Sequence, residues 1–232
     1  QQQRDMGAVF GLNYGWEHPL YFDADTPESA GFTRQPWFDS VGREAKMLRQ
    51  SVGIIDISNF AKYRCTGAGA QDWLNAVFAN TMPKTVGRSC LTPLIGVNGG
   101  IAGDFTVTRM AEDEFWIIGS GMAERYHQRF WKMVAMPGNV TFESMTDTWC
   151  GFNIAGPLAR KALQTLTNTS LATDDFPFMR SKWLEIAGVT CLALRVSFTG
   201  DLGWEIHCKA EEQAVVYEAL LQAAGFEKGG PV

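Results

Sequence analysis

Two short stretches of this 232-residue chain carry side chains whose type and spacing suit ligand recognition and proton chemistry. In Asn98-Gly99-Gly100-Ile101-Ala102-Gly103-Asp104-Phe105, glycines flank a lone carboxylate at the start of a strand. Alternation puts Phe105 and Val107 on one face and turns Asp104 away from that apolar side. Gly103 and Gly100 let a flat ligand approach the backbone closely, although glycine beside aspartate is also ordinary turn chemistry. The second stretch, residues 195–207, reads as strand, tight turn, strand. Trp204 and Ile206 share one face, Glu205 and His207 the other, and Arg195 and Ser197 occupy one face of the preceding strand, so a polar pocket can form between them. A carboxylate accepts two parallel hydrogen bonds from an amidine-like edge, which makes Glu205 a recognition group; the competing reading is a solvated hairpin face.

Other chemistries are poorly served. Gly67-Ala68-Gly69 lacks the third glycine of a dinucleotide loop, and no glycine-rich loop ends in Gly-Lys-Ser/Thr. His18, His127 and His207 are isolated from one another and from carboxylates at ligand spacing, so neither a metal site nor a triad is signalled, and His127 reads as a polar helix position. The five cysteines form no CxxC pair and are expected as buried, reduced thiols. A net charge of -5 disfavours nucleic acid as a partner. No apolar run approaches the roughly 20 residues that span a bilayer, so no membrane segment is expected. The cytosol is the expected compartment, or the mitochondrial matrix if the N-terminus has been cut.

The elements that must position these residues follow from periodicity. Residues 1–35 mix glycine, proline and aromatics without a sustained period, and are expected as an irregular leader packed on a surface. Phe38, Val41, Ala45, Leu48 and Val52 recur at helical steps and predict an amphipathic helix ended by Gly53. Strands are predicted at 54–58 and 62–66, then a helix carrying Trp73, Leu74, Val77 and Phe78. Two prolines and four glycines make 83–100 turn-rich. A hairpin joins 105–110 to 114–119, and a helix follows with Met122, Tyr126, Phe130 and Met133 as its buried stripe. After strand signals at 140–143 and 149–155, Gly156-Pro157 opens a helix carrying Leu158, Ala162, Leu163 and Leu166, with proline at its first position. Strands at 183–186, 189–198 and 204–209 and a helix over 211–224 complete an α+β pattern of mixed and antiparallel sheets with flanking helices.

Four motifs, in order and at matching spacing, resemble the glycine-cleavage T-protein (aminomethyltransferase) family. They are residues 53–63 (Gly-Ile-Ile-Asp-Ile-Ser-Asn-Phe-Ala-Lys-Tyr), 98–107, 153–160 (Asn-Ile-Ala-Gly-Pro-Leu-Ala-Arg) and 197–205. The likeness is strongest to the folate domain of dimethylglycine and sarcosine dehydrogenases, and it makes residues 1–35 the junction from a FAD domain and 36–232 the folate domain. It implies two intertwined α+β subdomains, with the terminal β-barrel of the family lying beyond Gly229-Gly230-Pro231-Val232. It also implies a tetrahydrofolate site with Asp104 catalytic and Glu205 on the pterin edge, Arg195, Gly99, Gly100 and Thr199 completing the cofactor contacts. Where the family has paired acids this chain has Gly103-Asp104, and Leu91 replaces a tyrosine.

The activity so implied is capture, by tetrahydrofolate, of the iminium or formaldehyde released from a methylated amine. The partners are that amine and a FAD-containing domain or subunit, FAD itself lying outside these residues. The alternatives are a non-catalytic folate-binding or regulatory module and a free-standing folate methyltransferase.

Overall fold

The computed structural model describes residues 1–226 except 14, 27, 28, 30, 97 and 198. Tyr14 of the leader, Phe198 at the end of an expected strand and the four-residue terminus 229–232 lie outside the described residues.

Residues 1–35 are more ordered than the absence of a period suggested. A one-turn helix α1 (Gln2–Asp5) leads into a hairpin of β1 (Ala8–Asn13) and β2 (Trp16–Phe22), with a register shift at Val9/Phe10. Pro19 is tolerated because a two-stranded ribbon consists only of edges. Helix α2 (Phe38–Gln50) follows, and its expected stripe is largely not buried: Phe38 is 45% exposed and Ala45 is exposed, whereas Ser40 is buried against Asp23.

The chain then weaves between two five-stranded antiparallel sheets. Strand β3 (Gly53–Asp56) joins the first sheet, and the chain crosses at once to β4 (Ala61–Thr66) in the second. The second sheet is completed by β5 (Ser89–Ile95), β6 (Ile101–Ala111), β7 (Glu114–Gly119) and β8 (Thr141–Ser144), in the order β5-β6-β7-β4-β8. Its helices are α3 (Ala70–Val77) and α4 (Glu124–Met133). The chain crosses back into β9 (Trp149–Ala155), runs through helix α5 (Ala159–Gln164), and adds β10 (Ser181–Ile186), β11 (Val189–Leu194) and β12 (Gly203–Lys209) before helix α6 (Gln213–Ala224). The first sheet has the order β10-β11-β12-β9-β3. These are the intertwined α+β halves that the resemblance implied.

Local chemistry accounts for these elements. Every residue of β9 is buried, as a central strand covered on both faces must be. Phe152 stacks on Tyr217 of α6 at 5.2 Å, and Ile154, Trp204 and Ile206 fill the same core. The β10–β11 turn uses Ala187 (φ 51°) and Gly188 (φ 80°), the two left-handed residues that a tight hairpin demands. Pro157 falls ahead of the Leu158 cap of α5 rather than at the first helical position, in a turn where Gly156 has φ 121°.

Two expectations need correction. The 83–100 stretch contains β5, disguised by Pro93; β5 is an edge strand, where a missing N–H breaks no ladder between strands. Helix α4 buries His127 and Trp131 instead of the expected stripe and exposes Tyr126 and Met133, while Met122 lies exposed in the short turn ahead of it. Trp131 meets Tyr63, Trp73, Phe78 and Phe105 with ring centroids 5.7–6.3 Å apart, an aromatic core that outweighs the methionine face. No helix among the described residues is long and apolar enough to cross a membrane.

Candidate functional site

Asp104 stands on the second sheet and Glu205 on the first, yet both line one cleft of about 510 Å³. Asp104 is placed by its neighbour: Phe105 is fully buried on the opposite face of β6, so the carboxylate faces out. Gly119 and Gly103 make that possible, because a Cβ on either would lie 2.5 Å from the Phe105 ring. The wall between the carboxylates is largely apolar, with Phe60, Leu91, Ile118, Met122 and Phe178. Leu91, where the resemblance implied a tyrosine, is 57% exposed on this wall.

Glu205 is almost wholly buried in the middle of β12, opposite Asn153 of β9 and Leu194 of β11. Its Oε2 lies 3.3 Å from Nε2 of the fully buried His207. Gly151 gives that imidazole its room, since a Cβ there would lie 2.7 Å from Nδ1. Burial pushes His207 below its ordinary value, the Glu205 carboxylate opposing and Lys62 assisting. At neutral pH the ring is therefore uncharged and donates Nε2–H to Glu205, leaving the second carboxylate oxygen for a ligand.

The other expected residues divide. Ser197 lines the cleft, and its hydroxyl is 2.9 Å from that of Thr199, which stands behind it and accepts the Asp201 N–H. Gly99 and Gly100 lie outside the cleft and close the β5–β6 turn through Gly96 N–H to Gly100 O (2.8 Å) and Gly99 N–H to Gly96 O (2.9 Å). Arg195 also lies outside it: its guanidinium donates to the Phe176 carbonyl and to Thr173, 5.8 Å from the Trp204 ring centroid. Arg195 still bonds through its backbone to Arg180 and Met179, but Val196 N–H turns back to the Leu194 carbonyl (2.9 Å), so alternation no longer ties Arg195 to the face of Ser197. Sequence reasoning missed the Asn59–Phe60 wall, which belongs to the crossover between sheets, and it missed Lys62 beneath that wall. Among the described residues no cluster of three or more His, Cys, Asp or Glu side chains is arranged to hold a metal.

His127 is buried, contrary to its expected polar role. Its Nδ1 is 3.4 Å from the Tyr63 hydroxyl and its Nε2 has no hydrogen-bond partner among the described residues. Burial lowers it from 6.5 to about 4. The unfolded chain therefore takes up the proton first, so the stabilisation is complete above pH 6.5 and lost as pH falls toward 4, by about 3 kcal/mol. Urea midpoints measured between pH 7 and 4 should fall accordingly, and His127→Gln should flatten the profile. An equally steep profile in that variant would rule out this residue as the cause.

Two helix-backed antiparallel sheets that exchange the chain twice, with a carboxylate from each on a shared cleft, define an α+β fold of interleaved halves. The GCVT N-terminal domain model matches residues 1–230, and the chain belongs to that family. It is 35% identical over 224 residues to the mitochondrial dimethylglycine dehydrogenase of Mus musculus, covering 94% of this chain and 26% of that protein. It is 29% identical to an aminomethyltransferase of Anoxybacillus flavithermus over 91% of this chain and 58% of that protein. The solved structure of glycine cleavage system aminomethyltransferase T from Bartonella henselae shares the fold, with a TM-score of 0.77 at 21% identity, over 94% of this chain and 55% of that one. The chain thus spans about a quarter of the dehydrogenase and little more than half of the transferases.

Proposed function

We propose that the chain performs tetrahydrofolate-dependent one-carbon transfer, taking the iminium or formaldehyde produced by oxidative demethylation of dimethylglycine, sarcosine or a related methylamine. The observation that carries this reading is the pair of carboxylates, Asp104 from one sheet and Glu205 from the other, that line one apolar-walled cleft. The fit to a reduced folate rests on Glu205: a buried carboxylate with one oxygen held by His207 and the other open suits the donor edge of a pterin. Phe60, Leu91 and Ile118 suit the flat faces of such a ligand. Bound there, tetrahydrofolate supplies the nucleophilic nitrogens that accept the one-carbon unit.

The chain's own groups divide the remaining work. Asp104 stabilises the positive charge that develops on an attacking amine and accepts its proton, a role worth about 10²–10⁴-fold in rate. Glu205 fixes orientation, and the apolar wall excludes water from the reacting carbon. Ser197, with Thr199 behind it, offers a hydroxyl contact beside Glu205; Gly99, Gly100 and Arg195 play no direct part. Oxidation of the amine falls to a FAD-containing partner domain or subunit, for which residues 1–35 form the junction. The compartment is cytoplasmic, or the mitochondrial matrix in a eukaryote, in keeping with the mitochondrial relatives.

A non-catalytic folate-binding module is the second reading, favoured by the aliphatic Leu91 on the wall and by the single acid at 104. Calorimetric titration with 5-formyltetrahydrofolate, beside Glu205→Gln and Asp104→Asn, tests both. Absence of saturable binding to well-folded wild-type protein would remove both readings.

A further inference from the structure

Lys62 is fully buried, a rare state for a lysine unless it is paired. Its Nζ donates to the carbonyls of Ser58 (2.9 Å) and Phe60 (2.8 Å), and among the described residues no carboxylate forms an ion pair with it. Those two carbonyls flank Asn59, so the ammonium grips the crossover between the sheets from beneath, where Asn59 and Phe60 form a wall of the cleft. Gly121 closes the same wall from the side; a Cβ there would stand 1.5 Å from the Asn59 carbonyl oxygen. The titratable groups facing Lys62 come from every neighbouring element: the carboxylates of Asp56 at the end of β3, Glu205 on β12 and Glu124 on α4, with the neutral Cys150 thiol on β9 and the neutral His207 imidazole on β12. An apolar side chain would avoid the desolvation of a cation, so the retained charge calls for a role other than stability.

We infer that Lys62 is the positioning residue of the cleft: its ammonium fixes the 58–60 wall, and its positive charge adds to the field at the Glu205–His207 pair that meets a ligand. This rests on the folate reading for the identity of the ligand, and not for the electrostatics. Burial lowers Lys62 to about 8, with the carboxylates of Asp56, Glu205 and Glu124 pulling the other way. The charge is thus present at neutral pH and lost as pH rises through 8.

The test uses Lys62→Met, which removes both tether and charge, and Lys62→Gln, which keeps a donor for the crossover carbonyls and drops the charge. Affinity for 5-formyltetrahydrofolate is measured from pH 6.5 to 9.5, and the His207 imidazole is titrated by NMR without ligand. Wild-type affinity should decline through pH 8. Lys62→Met should be at least about tenfold weaker at pH 7, equivalent to the loss of one charge-assisted contact, with no decline at 8. In both variants His207 should titrate higher than in wild type, and whichever variant folds carries the readout. Wild-type affinity and pH profile in a folded variant would overturn the inference. So would a uniform loss of affinity that leaves the decline at 8 and the His207 titration unmoved, the mark of a merely structural lysine. If wild-type protein binds no folate, the functional reading fails separately, and the His207 titration alone decides the electrostatic role of Lys62.

Discussion

Glu205→Gln is expected to weaken 5-formyltetrahydrofolate binding by roughly 100-fold while leaving thermal stability nearly unchanged. A hydrogen bond to a charged group contributes about 1.5–3 kcal/mol, and a carboxylate facing an amidine-like edge makes two in parallel. The amide keeps one acceptor and brings an N–H₂ group against the ligand's own donors, so at least one contact is lost. The same amide oxygen still accepts the His207 Nε2–H, so the buried pair is preserved. Unchanged affinity in a folded variant would show that Glu205 is not the anchor, and the folate assignment of the cleft would lose its principal support.

Asp104→Asn should have the opposite signature. Asp104 is exposed on β6 and makes no ion pair among the described residues, so its replacement should leave folding and folate affinity within about threefold of wild type. Turnover should drop by about 10²–10⁴, because asparagine is isosteric but neither carries the charge nor accepts the proton. Assayed in the protein together with its amine-oxidising partner, the variant should release free formaldehyde in place of the folate-bound one-carbon product. If the product ratio is unaffected, Asp104 is a bystander and the non-catalytic module becomes the better account.

The two carboxylates were legible because strand alternation is a strong local rule: Phe105 and Trp204 had to be buried, so Asp104 and Glu205 had to face elsewhere. What lay across from them was not legible. That Asp104 and Glu205 share a cleft depends on the pairing of β9 with both β3 and β12, a long-range arrangement that single-strand periodicity does not encode. Arg195 was misplaced because the strand was continued through Val196, whose N–H turns back to Leu194. Helix α4 was misread because hydrophobicity marks faces that can be buried, and here Met122 lines the cleft while His127 packs against Phe105 at 4.6 Å. Lys62 alternates with Ala61, Tyr63 and Cys65 and so reads as solvated; the strand gives no sign that the other sheet covers that face.

The two halves meet along a seam of their own, separate from either core, built from Trp116 and Ile118 of β7 against Trp149, Leu192 and Leu194 of the other sheet. Trp116 lies edge-on to Trp149 at 4.6 Å, and Trp183 joins both at 6.1–6.3 Å. Because Asp104 rides on one half and Glu205 on the other, this tryptophan seam sets the gap of a caliper whose tips are the two acids. Shaving it, as in Trp149→Phe, should disturb the gauge and neither tip. Turnover, which needs both acids at once, should then fall, whereas a bare pterin that reaches only Glu205 should bind as before. The gap between the two acids is thus set by tryptophans that do not themselves line the cleft.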